Sequence, residues 1–184
     1  MSDPTADPDQ HSAATPADGP LSGFRVLDLS SVVSGPMAAV VLADQGADVI
    51  KIEPPGWGDG IRGLGASRNG LSAIYAMINR NKRSIAINLK HPEGQALVRQ
   101  LAADADVLLQ NYRPGKMARL GLDYDALKAE CPDLIYASIN GMGEVGPYAE
   151  QKTYDYVIQA LSGILDVQGM TPLAMNPPEQ DASP

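Results

Sequence analysis

The chain has 184 residues, room for one domain of ordinary size, and its 44% hydrophobic and 20% charged content excludes wholesale disorder and collagen-like structure. One cysteine, Cys131, excludes a disulfide framework and a cysteine-rich zinc site, and no apolar run reaches the roughly 18–20 residues of a membrane span. The formal net charge of −8 sits mostly in the two ends: residues 1–20 and 171–184 carry six of the 22 acids, eight of the 15 prolines and no Lys or Arg, so the middle is nearly neutral and shows no basic stripe for nucleic acid.

The start MSDPTADPDQ has neither a basic nor an apolar leader region, so the expectation is a soluble, cytoplasmic protein away from membranes. Residues 1–20 read as a disordered acidic tail, 21–170 as the folded part and 171–184 as a disordered C-terminal tail. In the folded part, 24–30 (FRVLDLS) is a buried strand by length and branching. Gly35-Pro36 opens a helix over MAAVVLADQGA, with Gly46 as its stop. A second strand, 48–55 (DVIKIEPP), ends on two prolines, and the glycines from Gly56 to Gly65 predict a loop up to Gly70.

A third strand follows at 83–89, then a helix over 92–105 with Ala96, Leu97, Leu101 and Ala105 on one face. DVLLQN (106–111) is a fourth strand, 123–132 a short helix, 134–140 a fifth strand and 153–165 a closing helix. Strands alternating with helices imply right-handed crossovers and a Rossmann-like, doubly wound α/β fold: a mainly parallel sheet with helices on both faces. Ligands of such sheets bind at the carboxyl edge. Four loops end there, 30–36, 53–60, 111–121 and 140–155, and they collect Arg62, Arg113, Lys116, Arg119 and Lys152, cations suited to phosphate oxygens.

Gly141-Met142-Gly143-Glu144-Val145-Gly146 matches G-x-G-x-x-G, yet Pro147 follows where a dinucleotide fingerprint needs an opening helix, which argues against a nicotinamide oxidoreductase. His11 lies in a tail and His91 precedes Pro92 as a cap, so no metal site is expected.

GFRVLDLSSVVSGPMAAVVLADQGADVIKIEPPGWGD, NRNKRSIAINLKHPEGQALVRQLAADADVLLQNYRPG, LIYASINGMGEVGPY and YDYVIQALSG resemble the N-terminal portion of the class III CoA-transferases, the superfamily of formyl-CoA and carnitine CoA-transferases and alpha-methylacyl-CoA racemases. The resemblance runs from about Leu21 to Gly169. It implies an incomplete Rossmann-like large domain of an interlocked homodimer. Acyl-CoA and a small carboxylic acid are the implied substrates, and no cofactor is tightly bound. Carried over by position, it puts CoA contacts at Val32, Val33, Pro54, Ile87, Asn111, Tyr112, Arg119 and Lys152. Ile87, Asn111 and Tyr112 fall near the adenine, and Arg119 and Lys152 near the phosphates. Val33 stands where some transferases have glutamine, and Pro54 where some have arginine.

Tyr154-Asp155 occupies the place of a His-Asp pair in the racemases. Moving an α-proton near neutral pH needs a base with a pKa near 7, which tyrosine does not ordinarily supply, so Tyr154 and Asp155 are auxiliary candidates that favour transferase over racemase. The family's mechanism, as the resemblance implies it, begins with an aspartate that attacks the acyl-CoA carbonyl and forms a mixed anhydride. CoA thiolate opens it to an aspartyl-CoA thioester, and the incoming acid reverses the steps. The pattern fails after Gly169, and neither Asp166 nor Asp181 has the glycine context of that aspartate. The expectation is a chain ending before the nucleophile and inactive alone, with a racemase-type enzyme or a non-catalytic CoA-binding, dimerising fragment as alternatives.

Overall fold

A computed structural model describes residues 19–167, which divide into a unit ending at Ile139 and one beginning at Asn140. The expected tails lie outside the described residues, apart from Gly19 and Pro20. The first unit runs β1 (Arg25–Asp28), α1 (Ser34–Asp44), β2 (Asp48–Glu53), a 3₁₀ turn (Gly60–Gly63), β3 (Ser67–Arg68), β4 (Leu71–Ser72), α2 (Ala73–Asn79), β5 (Lys82–Ala86), α3 (Pro92–Ala103), β6 (Val107–Gln110), α4 (Lys116–Arg119), α5 (Tyr124–Glu130) and β7 (Ile135–Ser138). The second contains α6 (Asp155–Leu161) and α7 (Ile164–Val167).

Five strands form one parallel sheet in the order β5-β2-β1-β6-β7, and β3 and β4 form a separate antiparallel hairpin. The register pairs Leu27 with Ile50 on one side and with Leu108 on the other. Alternation along the strands then splits the core into two layers. Leu27, Ile50, Ile52 and Leu108 pack against Val98 and Ala102 of α3 and Leu127 of α5. On the other face Val26, Val49 and Leu109 meet Ala39 and Ala43 of α1. This is the doubly wound α/β architecture that the alternation of elements predicts, with helices on both faces.

The element boundaries explain themselves locally. His91 accepts from the Glu93 N–H and Pro92 sits in the first turn, so α3 starts where its capping chemistry says. Gly35 must be glycine, because a Cβ there would lie 2.2 Å from the Ser30 Cβ, where α1 closes on the end of β1.

Several expectations need correction. The buried face of α3 is Gly94, Val98 and Ala102, with Leu101 and Ala105 half-buried, whereas Ala96 and Leu97 face solvent. The apolar spacing of Ala and Leu outweighed the one β-branched residue that the sheet selects. The loop expected up to Gly70 contains the 3₁₀ turn and the start of the β3–β4 hairpin, and α2 had no counterpart in the sequence reading. Residues 153–165 are not one helix. Gly163, at φ +76°, separates α6 from α7.

Candidate functional site

In the sheet order, β1 leads outward through α1 to β2 on one side, and the chain later returns through α3 to β6 on the other. The loops leaving β1 and β6 therefore diverge, and that switch point is where an open α/β sheet receives a ligand. Here the two loops are tied together. Asn111, just past β6, accepts the Ser31 N–H at 2.9 Å and donates its amide to the Ser31 carbonyl at 2.8 Å. Val32 and Val33, both about half exposed, stand on this tie. Val32 has φ +66°, a left-handed conformation that a β-branched side chain resists.

Under the loop the α1 face of the sheet turns from apolar to charged. Lys51, with its side chain 1% exposed, donates to the Ser30 carbonyl at 2.9 Å and lies 3.0 Å from the Asp59 carboxylate and 3.9 Å from Asp28. Lys82 donates to Asp28 at 2.8 Å, to the Pro36 carbonyl at 2.8 Å and to Asn79 at 3.0 Å. Burial pulls the Lys82 ammonium below its ordinary pKa, partly offset by Asp28. Asp59 accepts the Val32 N–H with both oxygens, at 3.1 and 3.2 Å, and caps the 3₁₀ turn through the Ile61 N–H.

Its own N–H runs to Glu53 at 2.8 Å. Glu53 also accepts from Arg62 in a two-pronged pair at 2.7 and 2.6 Å and from Tyr75 and Ser84 at 2.7 Å each. Burial alone would raise the Glu53 carboxyl; these donors overcome it and hold the group far below the usual carboxylate range. Burial and the same bond to Glu53 push the Tyr75 phenol well up, and the Arg62 guanidinium lies 3.8 Å over its ring. Beside this cluster lies a hollow of about 220 Å³ between the ends of β2 and β5, lined by Glu53, Pro54, Trp57, Arg62, Ser84 and Ala86.

A different cation group gathers after β6. The Lys116 ammonium sits 4.0 Å over the Tyr112 ring. Its pKa is pulled down first by burial and then by Lys90, Arg119 and Arg113. Among the described residues none of these four cations forms an ion pair. Tyr112 packs against the core cluster that holds Ile87, and burial, then the Asp59 charge, raises its phenol. This combination of an aromatic plate and unneutralised cations can receive a ligand with a planar ring and several anionic oxygens.

Of the residues singled out in the sequence, Val32, Val33, Asn111 and Tyr112 meet at the switch point, and Arg119 ends α4 in the cation group. Pro54 lines the hollow. Ile87 is buried in the core cluster against which Tyr112 packs. Lys152, Tyr154 and Asp155 belong to the second unit. There Tyr154 is exposed as the N-cap of α6, and Asp155 accepts from Gln159. In the same unit the G-x-G-x-x-G stretch is followed by turns, with no helix before Asp155. The sequence reading missed Asp28, Lys51, Glu53, Asp59, Tyr75 and Lys82. A Lys and a Glu two apart inside the apolar strand DVIKIE were the available signal, since such groups are buried only when paired.

A family model described as CoA-transferase family III matches residues 21–183. The chain is similar to the succinate–glutarate CoA-transferase of Agrobacterium fabrum, 47% identical over 157 residues, covering 82% of this chain and 39% of that protein. It is 45% identical over 157 residues to the acetyl-CoA:oxalate CoA-transferase of Acetobacter aceti, covering 84% of this chain and 40% of that protein. Among solved structures, a CAIB/BAIF family protein from Brucella suis matches with a TM-score of 0.76 at 44% identity, covering 80% of this chain and 40% of its own. The chain thus spans about two fifths of the length of these relatives.

Proposed function

The chain belongs to CoA-transferase family III, and from that premise we propose that it binds a CoA thioester along the carboxyl edge of its sheet and serves CoA exchange between an acyl-CoA and a small carboxylic acid. The observation that carries this reading is the group of Lys90, Arg113 and Arg119 about Lys116, which lies over the Tyr112 ring, four cations with no ion-pair partner among the described residues. CoA brings a planar adenine, a pyrophosphate and a 3′-phosphate, which fit that pairing. In this reading Tyr112, Asn111 and Pro54, with Ile87 behind them, face the nucleotide, Arg119 and Lys152 take phosphate oxygens, and Val32 and Val33 line the path of the thioester. The relatives' names, with succinate, glutarate and oxalate, support a small dicarboxylic acid as acceptor.

Covalent exchange needs a carboxylate free to attack. Asp28, Glu53 and Asp59 are buried and paired to lysine or arginine, which disqualifies them as nucleophiles. The aspartyl anhydride and thioester steps are therefore assigned to a carboxylate other than these three, with Tyr154 and Asp155 as auxiliary groups. Met37 and Val41 stand exposed four residues apart on α1, and Met77 is exposed on α2; these support association of two chains.

Calorimetric titration of the 184-residue chain with CoA and with dephospho-CoA tests the reading. The expected result is saturable CoA binding, weaker without the 3′-phosphate and weaker in high salt; absence of binding to either compound refutes it.

A further inference from the structure

We infer that Asp59 is a positioning residue: its carboxylate holds the β1–α1 loop in the left-handed turn at Val32 and so fixes the Val32–Val33 face of the ligand site. The inference rests on the proposed CoA site, because that site gives the loop its role. Its footing is the distribution of hydrogen bonds along the loop. Ser30 is held from inside the sheet, its N–H by Asp28 at 3.0 Å and its carbonyl by Lys51 at 2.9 Å. Ser31 is held on both sides by Asn111. Val32, the residue with φ +66°, is held by Asp59 alone among these side chains, and by both of its oxygens.

A valine does not stay in the left-handed region unless its surroundings over-determine it. Nor does the next residue help, since Val33 is the N-cap of α1 and its side chain makes no capping bond. Asp59 is placed for the task by two other bonds, the 3.0 Å contact to Lys51 and its own N–H to Glu53. Two residues of β2, Lys51 and Glu53, thus fix the Asp59 carboxylate that reaches this backbone N–H. The competing explanation is that Asp59 only caps the 3₁₀ turn through Ile61, at 3.2 Å. Asparagine caps as well as aspartate does, so the two explanations part in the Asp59→Asn variant.

The experiment compares Asp59→Asn in the native chain and in a Val32→Gly background, reading amide exchange at Val32 by NMR and CoA affinity by calorimetry. Glycine occupies positive φ unaided. With Val32 present, Asp59→Asn is expected to speed exchange at the Val32 amide at least tenfold more than in β1 and β6 and to weaken CoA binding at least tenfold. With Gly at 32, the loss of affinity on Asp59→Asn should shrink to below threefold, the signature of coupling between the two positions. Asp59→Glu, which keeps the charge beside Lys51 while moving the oxygens, is the second variant should the first not fold, with the same direction expected for exchange and affinity. Unchanged Val32 exchange, or an equal effect of Asp59→Asn in both backgrounds, overturns the inference. If the unmutated chain binds no CoA, the proposed function fails, and the exchange measurement alone decides the role of Asp59.

Discussion

Two groups of cations occupy the same sheet edge and are used in opposite ways. Lys51, Lys82 and Arg62 are matched one for one by Asp59, Asp28 and Glu53, mostly out of solvent, so their charge is consumed in holding loops. Lys90, Arg113 and Arg119 gather about Lys116, which lies over Tyr112, and among the described residues none of the four forms an ion pair, so their charge is available to a ligand. Residue type is thus a poor guide to role; the company each cation keeps decides it. Removing a member of the first group strands a buried anion, whereas removing a member of the second relieves repulsion.

The sharpest break between the groups should come from stability. Lys51→Met leaves Asp59 without its cation, while Asp28 keeps Lys82, and is expected to lower the unfolding free energy by about 3–5 kcal/mol, whereas Lys116→Met changes it by less than about 0.5 kcal/mol. Urea unfolding followed by circular dichroism measures both, and comparable losses would erase the distinction. Binding should invert the ranking. Arg119→Ala with Arg113→Ala is expected to weaken CoA binding well over tenfold, each charge-assisted bond to phosphate being worth on the order of 1.5–3 kcal/mol. An unchanged dissociation constant in a folded double variant would remove the phosphate role.

A smaller effect lies on the acid side. Glu53 is held below its unfolded value, so the stability it contributes is present above the unfolded carboxylate pKa of about 4.3 and is lost as the pH falls toward the folded one. Arg62 is part exposed, which screens its share. Arg62→Ala should therefore flatten, without abolishing, the decline of stability between about pH 4.3 and more acid values, as read by thermal unfolding at each pH. The smallest effect concerns Lys116. Its ammonium is depressed by burial and by its three cationic neighbours, and a bound polyanion would restore it, so binding takes up proton on the alkaline side. CoA-thioester affinity should fall by on the order of a few-fold as the pH rises toward the ordinary lysine pKa of about 10.4, and less so in Lys116→Met.

The order of elements could be read from the sequence because parallel strands such as VLLQ are apolar runs bounded by helix-forming stretches, a pattern set by burial on both faces. Fold class and the carboxyl-edge loops followed from that pattern. Helix α2 did not, because its seven residues fall between a glycine-rich loop and a strand and are too few to show a period. The buried charge ladder was illegible for another reason. Asp28, Lys51 and Lys82 each look like a surface charge in a local window, and only the register of three strands brings them onto one face. The exposed cations of α4, by contrast, lie in one contiguous loop and were picked out directly.

Asp59 and Glu53 have a consequence for how this protein is watched. The five residues between them include Trp57, the one tryptophan of the chain, 93% exposed on a loop whose two ends are fastened to each other through the Asp59 N–H and the Glu53 carboxylate. The indole is therefore an intrinsic optical reporter, set at the rim of the hollow and tethered at one remove to the Val32 turn. Its emission should shift when a nucleotide fills that hollow, giving a label-free signal for arrival at the edge in a chain with no other indole to obscure it.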